Sequence, residues 1–179
     1  MSKVQDIKKL IRTIPNFPHE GIMFRDVTTL LKDADGLQNT VELFVERYEK
    51  MDFDVVVGIE SRGFILGSIL AYHFHKGFIP VRKKGKLPGE VISQSYDLEY
   101  GTDTLELHVD AIKKGQKVLV IDDLLATGGT AFGAIKLIEK LEGKVVEFAV
   151  IVDLPDLQGK KKLEDAGHKV FTLVEYEGL

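Results

Sequence analysis

The chain has 179 residues, 44% of them hydrophobic, which is enough for one sizeable core. It has no cysteine, so disulfides, thiolate nucleophiles and zinc-thiolate sites are excluded. A formal net charge of -4 argues against a dedicated nucleic-acid binder, no apolar run approaches the ~20 residues of a membrane span, and Met1 to Asp6 lack a signal-peptide layout, so a soluble cytoplasmic protein is expected.

Val4, Ile7, Leu10, Ile11 and Ile14 recur at three- and four-residue spacing and predict an amphipathic helix that Pro15 and Pro18 stop. Beyond the polar turn at Asp33 to Gly36, Leu37, Val41, Phe44, Val45 and Tyr48 predict a second helix. Asp54 to Ile59 is a short, continuous, β-branched run, suited to a parallel strand buried on both faces, and Phe64 to His75 reads as the helix behind it. Phe78 to Val81 is a second strand. Arg82 to Glu90, rich in lysine, glycine and proline, reads as a loop, and Val91 to Val109 as an antiparallel hairpin projecting from the sheet around Gly101-Thr102-Asp103. Strands at Lys117 to Asp122, Val145 to Val152 and Val170 to Val174 alternate with helices at Gly129 to Leu141 and Leu157 to Ala166. This order specifies a single α/β domain with a mostly parallel central sheet flanked by helices.

The run from Val118 to Thr130, VLVIDDLLATGGT, passes from a buried strand through a short loop into a helix. In open α/β sheets ligands bind beyond the carboxyl ends of the strands. Gly128 and Gly129 between Thr127 and Thr130 let backbone N–H groups converge at a helix N-terminus, a site for a phosphate dianion, and threonine hydroxyls add neutral donors. Ionised Asp122 and Asp123 only accept, so they call for a donor such as a vicinal ribose diol, or for a cation such as Mg2+ shared with a diphosphate. Phosphate, ribose and metal together describe a phosphoribosyl group. An Asp-Asp pair before two glycines could also be a plain strand end and helix cap; the hydrophobic strand ahead and the helix behind favour the phosphate site. The P-loop lysine is absent.

The same run resembles the phosphoribosyl-pyrophosphate signature of type I phosphoribosyltransferases. Gly21 to Thr28, Glu60 to Phe64, Arg82 to Gly89 and Ser95 to Gly101 resemble the adenine phosphoribosyltransferases in that order and spacing, over nearly the whole chain. Thr29 departs from them, since proline is more frequent after their Arg-Asp-x-Thr segment. The resemblance implies the type I fold, with an N-terminal helix and base-binding hood at 1–34 and a flexible lid and hairpin at 82–108. The activity it implies is purine salvage, in which adenine and phosphoribosyl pyrophosphate give AMP and pyrophosphate with magnesium, in a protein that is usually a homodimer.

On the resemblance, Ala126, Thr127, Gly128, Gly129 and Thr130 hold the ribose phosphate. Asp122 and Asp123 take the ribose hydroxyls, with magnesium held nearby through substrate and water rather than by the protein directly. Arg62, at a strand end, grips the pyrophosphate, with Arg82, Lys83 and Lys86 of the lid; in the family the Glu60–Ser61 peptide is often cis. Glu99 is the acid/base candidate, Arg62 the second catalytic residue, and Tyr100 closes over the phosphoribosyl side. The segment around Met23 and Arg25 reads the adenine edge and Leu154 faces the other side of the purine. Two alternatives are an oxopurine phosphoribosyltransferase, which the amino-terminal segment does not resemble, and a ligand-sensing regulator, for which no added basic surface is present.

Overall fold

The computed structural model describes residues 2–97 and 101–178. Its first helix, α1 (Lys3–Leu10), opens with a capping box in which Ser2 and Gln5 satisfy each other's backbone amides. The helix stops four residues before the predicted end. Ile11 is already extended, and the following residues form β1 (Arg12–Pro15), paired antiparallel with β2 (Met23–Asp26). Ile14 therefore faces Phe24 across a small ribbon rather than continuing a helical stripe. The ribbon turns through a cis Phe17–Pro18 peptide.

After the short α2 (Thr28–Leu31), α3 (Ala34–Tyr48) begins where the Asp33 carboxylate accepts the Gly36 N–H. Then come β3 (Val55–Ile59), α4 (Gly63–His73), β4 (Gly77–Lys83), β5 (Val91–Asp97), β6 (Thr102–His108), β7 (Lys117–Leu125), α5 (Gly129–Lys140), β8 (Lys144–Asp153), a 3-10 turn (Pro155–Leu157), α6 (Gly159–Asp165) and β9 (Val170–Glu175). Predicted boundaries shift in several places: Arg82 and Lys83 belong to β4 rather than to the loop, β7 continues through the paired aspartates to Leu125, α4 ends at His73 rather than His75, and Leu157 closes the 3-10 turn so that α6 starts only at Gly159.

The seven-stranded sheet has the order β5-β6-β4-β3-β7-β8-β9. From β4 to β9 all neighbours are parallel, and the β5–β6 hairpin adds an antiparallel edge. The hairpin is joined to β4 through Arg82↔Glu106 and Lys83↔Leu105, so most of it runs past the end of that strand, projecting as its alternation predicts. Side chains alternate across the sheet. Val55, Val57, Ile59, Val118 and Val120 pack with α5 and the hairpin, whereas Val56, Leu119 and Ile121 pack with α1, α3 and α4. Between α3 and β8, the buried Glu147 carboxylate accepts from Arg47 (2.7 and 3.2 Å) and from the Tyr48 hydroxyl (2.7 Å). Burial, then the neighbouring Glu147 charge, pushes the Tyr48 hydroxyl far up, so Tyr48 acts as a donor.

The chain leaves β3 toward β4 on one side and β7 toward β8 on the other. The reversal opens a crevice at the carboxyl ends of β3 and β7, where such sheets bind ligands.

Candidate active site

A cavity of about 680 Å³ lies at that crevice. Its walls include Ser61 and Arg62 after β3, Asp122 and Asp123 in β7, the loop Ala126 to Gly128, and the first turn of α5 with Gly129 and Thr130. Lys83 at the end of β4 also lines it. One sequence run and one distant arginine thus share a single space, because β3 and β7 are paired in register from Val55↔Val118 to Gly58↔Ile121.

The loop owes its shape to one left-handed glycine and one close approach. Gly128 has φ +90°, the left-handed conformation that disfavours a side chain, and it starts α5 with no side-chain cap on the helix amides. Gly159, at the start of α6, packs beneath it: a Cβ there would strike the Ala126 carbonyl and stand 2.9 Å from the Gly128 nitrogen. Lys162 adds a bond to the Thr127 carbonyl at 3.4 Å. The uncapped amides and the helix dipole leave the first turn of α5 able to receive an anion.

The two aspartates differ. Asp122 is buried and accepts the Asp123 N–H at 2.9 Å; burial first, then the Asp123 charge, raises its pKa well above the ordinary value. Asp123 is ion-paired with Arg62. Burial works against the Arg62 charge, but Asp123, Asp122 and Asp26 outweigh it and hold its pKa above the usual value. The Glu60–Ser61 peptide just before Arg62 is cis, the isomer the resemblance implies. Among the described residues no cluster of three or more carboxylate or imidazole groups could hold a metal ion.

The matching family is the phosphoribosyl transferase domain, over residues 26–175. An adenine phosphoribosyltransferase from Chlorobium phaeovibrioides is 58% identical over 174 residues, which span 96% of this chain and 98% of that one. The chain belongs to the adenine phosphoribosyltransferase family. Among solved structures, the adenine phosphoribosyltransferase of Thermoanaerobacter pseudethanolicus superposes with a TM-score of 0.92 at 46% identity, over 97% of this chain and 99% of that one. The Saccharomyces cerevisiae member, crystallised with adenine and an imino-altritol bisphosphate, gives 0.89 at 39% identity, over 96% and 98%. The family and the fold inferred from the sequence run and its companion segments are therefore correct.

The other residues that resemble adenine phosphoribosyltransferase positions are placed as follows. Arg82 is paired with Glu60 (Nε to Oε2, 3.2 Å) and donates to the Lys86 carbonyl at 3.2 Å; Glu60 also accepts the Lys83 N–H at 2.9 Å. Burial opposes the Glu60 charge, but these donors keep its pKa below the usual value. The Lys83 ammonium sits 2.9 Å from Asp103, which raises its pKa. Met23 lies exposed on β2 opposite Pro15. Arg25 donates to Thr13 Oγ1 at 2.6 Å, and its Nε is buried without a hydrogen-bond partner. Leu154 follows β8, half-buried against the second core, its N–H on the Leu125 carbonyl at 3.1 Å. Glu99 and Tyr100 lie outside the described residues.

Several cavity residues carried no signal of their own. Pro18 reads only as a helix stop, His19 lies in a segment without periodicity, and Phe148 and Leu157 read as an ordinary strand residue and an ordinary helix residue. Ile22 and Tyr96 lie within segments that resemble the family, but the resemblance implies no role for them.

Proposed function

We propose that the protein transfers the phosphoribosyl group of phosphoribosyl pyrophosphate to adenine, releasing AMP and pyrophosphate. The observation that carries this reading is the single crevice in which the uncapped start of α5, the Asp122–Asp123 pair and Arg62 converge. The amides and hydroxyls of Ala126 to Thr130 hold the 5'-phosphate. Asp122 and Asp123 orient the ribose hydroxyls, and Asp123 exchanges its ion pair with Arg62 for them. The freed Arg62 turns its guanidinium on the pyrophosphate, where a bidentate grip suits it.

As the purine nitrogen forms its bond to the anomeric carbon, the bond to pyrophosphate breaks and its electron pair leaves with the diphosphate. Positive charge on the sugar and negative charge on the leaving group are met by the carboxylates on one side and by Arg62, Lys83, Arg82 and Lys86 on the other. For Arg82 and Lys83 this requires leaving Glu60 and Asp103. Magnesium, when bound with the diphosphate, supplies further charge stabilisation near Asp122 and Asp123. Glu99 takes the imidazole proton of adenine, and Tyr100 covers the phosphoribosyl side as the segment 82–108 closes and excludes water. Backbone groups around Met23 and Arg25 read the amino edge of adenine, with Leu154 on the other side of the ring.

No helix among the described residues is long and apolar enough to cross a membrane. We place the protein in the cytoplasm, without a nucleic-acid partner, as a homodimer. The support for a dimer is the outer face of α4, where Ile65 and Tyr72, two turns apart on one stripe, are 42% and 89% exposed. The activity is tested by incubating the purified chain with phosphoribosyl pyrophosphate and each of adenine, hypoxanthine and guanine, with and without Mg2+. AMP alone, formed only with metal, is the expected product. IMP or GMP would overturn the base assignment.

A further inference from the structure

The residues that follow β9 make contacts that the proposed chemistry does not use. The Tyr176 hydroxyl donates to the Lys8 carbonyl at 2.7 Å, and Lys8 Nζ donates to the Glu175 carbonyl at 2.5 Å while lying 4.8 Å from the centre of the Tyr176 ring. The Arg25 guanidinium stands 4.6 Å from the same ring centre, and its Nη2 reaches the Glu177 carbonyl at 3.5 Å. The Gly178 N–H donates to Asp156 Oδ2 at 2.6 Å. Three consecutive residues are therefore tied to β2 on one side and to the 3-10 turn after β8 on the other. Met23 opens β2, and Leu154 immediately precedes the 3-10 turn.

Leu154 is fixed to the central sheet through its N–H on the Leu125 carbonyl, but no strand pairing among the described residues joins β2 to that sheet. β2 pairs with β1 outside the central sheet, and the 3-10 turn begins where β8 has ended. We infer that Tyr176 to Gly178 form a strap that sets the width of the base pocket, with Tyr176 a positioning residue acting through Arg25, and Asp156 the strap's second anchor. The inference rests on the reading of Met23, Arg25 and Leu154 as base-contacting. The ring face attracts the two cations that stand over it. Without the ring, Arg25 keeps its Thr13 bond but loses its contact with the segment after β9, and β2 can drift from the turn. A purine held from two unlinked segments is sensitive to such a drift, whereas the phosphate loop on β7 is not.

The test uses the full chain with Tyr176→Leu, Tyr176→Phe, Asp156→Ala and Leu154→Ala, varying adenine and phosphoribosyl pyrophosphate independently. Tyr176→Leu is expected to raise the adenine KM about tenfold, leaving the phosphoribosyl pyrophosphate KM within about twofold and kcat within about threefold. Tyr176→Phe, which keeps the ring, restores the adenine KM, and Asp156→Ala shares the adenine-selective defect. Amide hydrogen exchange in Tyr176→Leu is faster at residues 23–26 and 154–157 and unchanged at 118–121. An equal rise in both KM values, or a Phe variant as impaired as the Leu variant, overturns the strap. A raised adenine KM in Leu154→Ala with an unchanged one in Tyr176→Leu overturns the strap while sparing the base pocket. A wild-type adenine KM in Leu154→Ala removes the pocket itself.

Discussion

Asp26 shows how a single carboxylate can be committed to structure at the rim of a site. Its oxygens take the Thr28 hydroxyl (2.6 Å), the Arg12 guanidinium (2.5 Å) and the Thr28 N–H (2.9 Å), and these bonds hold its pKa at about 2. A folded-state value below the ordinary carboxylate value means that the stabilisation is present above about pH 4 and is lost as pH falls toward 2. Asp26→Asn should therefore be less stable than the parent at pH 6, with the gap closing between about pH 4 and pH 2, as read from urea midpoints across that range. Asp26 was visible in the sequence only as part of a family-like segment, because a short Asp-x-Thr turn has no periodicity. The same holds for Glu147, whose place inside a strand gives no hint that Arg47 and Tyr48 wait for it. Pairings between residues a hundred positions apart become legible only when the elements have been docked.

At the scale of elements, β3 and β7 were legible because both are unbroken apolar runs, and α3 because its stripe is long and follows an Asp33 cap. The β1–β2 ribbon was not. Its strands have four residues each, and Ile14 happens to extend the 4, 7, 10, 11 spacing of α1, so a helical pattern covered a strand. The phosphate-type loop was read from its own glycines, yet its floor was missed, since Gly159 lies some thirty residues away and marks a close approach rather than a turn. That contact makes a sharp test. Gly159→Ala should push Ala126 and Gly128 outward and raise the phosphoribosyl pyrophosphate KM by about tenfold, a loss on the order of 1.4 kcal/mol, with the adenine KM little changed in steady-state assays.

At the scale of the whole molecule, the crevice exists because the strand order reverses between β3 and β7, and alternation of strands with helices made that architecture legible before any coordinate. The placement of the hairpin was legible only in part: its alternation was plain, but its docking on β4 through Arg82 and Lys83 was hidden by a basic run that reads as loop. A ligand that bridges the α5 start and Arg62 ties the two halves of the sheet together. Phosphoribosyl pyrophosphate with magnesium at about one hundred times its Kd should then add about 2.7 kcal/mol to unfolding, seen as a rise in Tm that Gly159→Ala diminishes at the same ligand concentration.

The β3–β7 pairing also orders events in time. While the chain is being synthesised, everything up to Gln116 can emerge with the partner edge of β3 still open, and Arg62 then has no Asp123 to meet. The strand that closes this gap is the one that leads directly into the loop Ala126 to Gly128 and the uncapped start of α5. On the proposed reading, a nascent chain acquires its grip on a phosphorylated substrate only as its sheet is joined, and an unfinished chain does not withdraw that substrate from the cell.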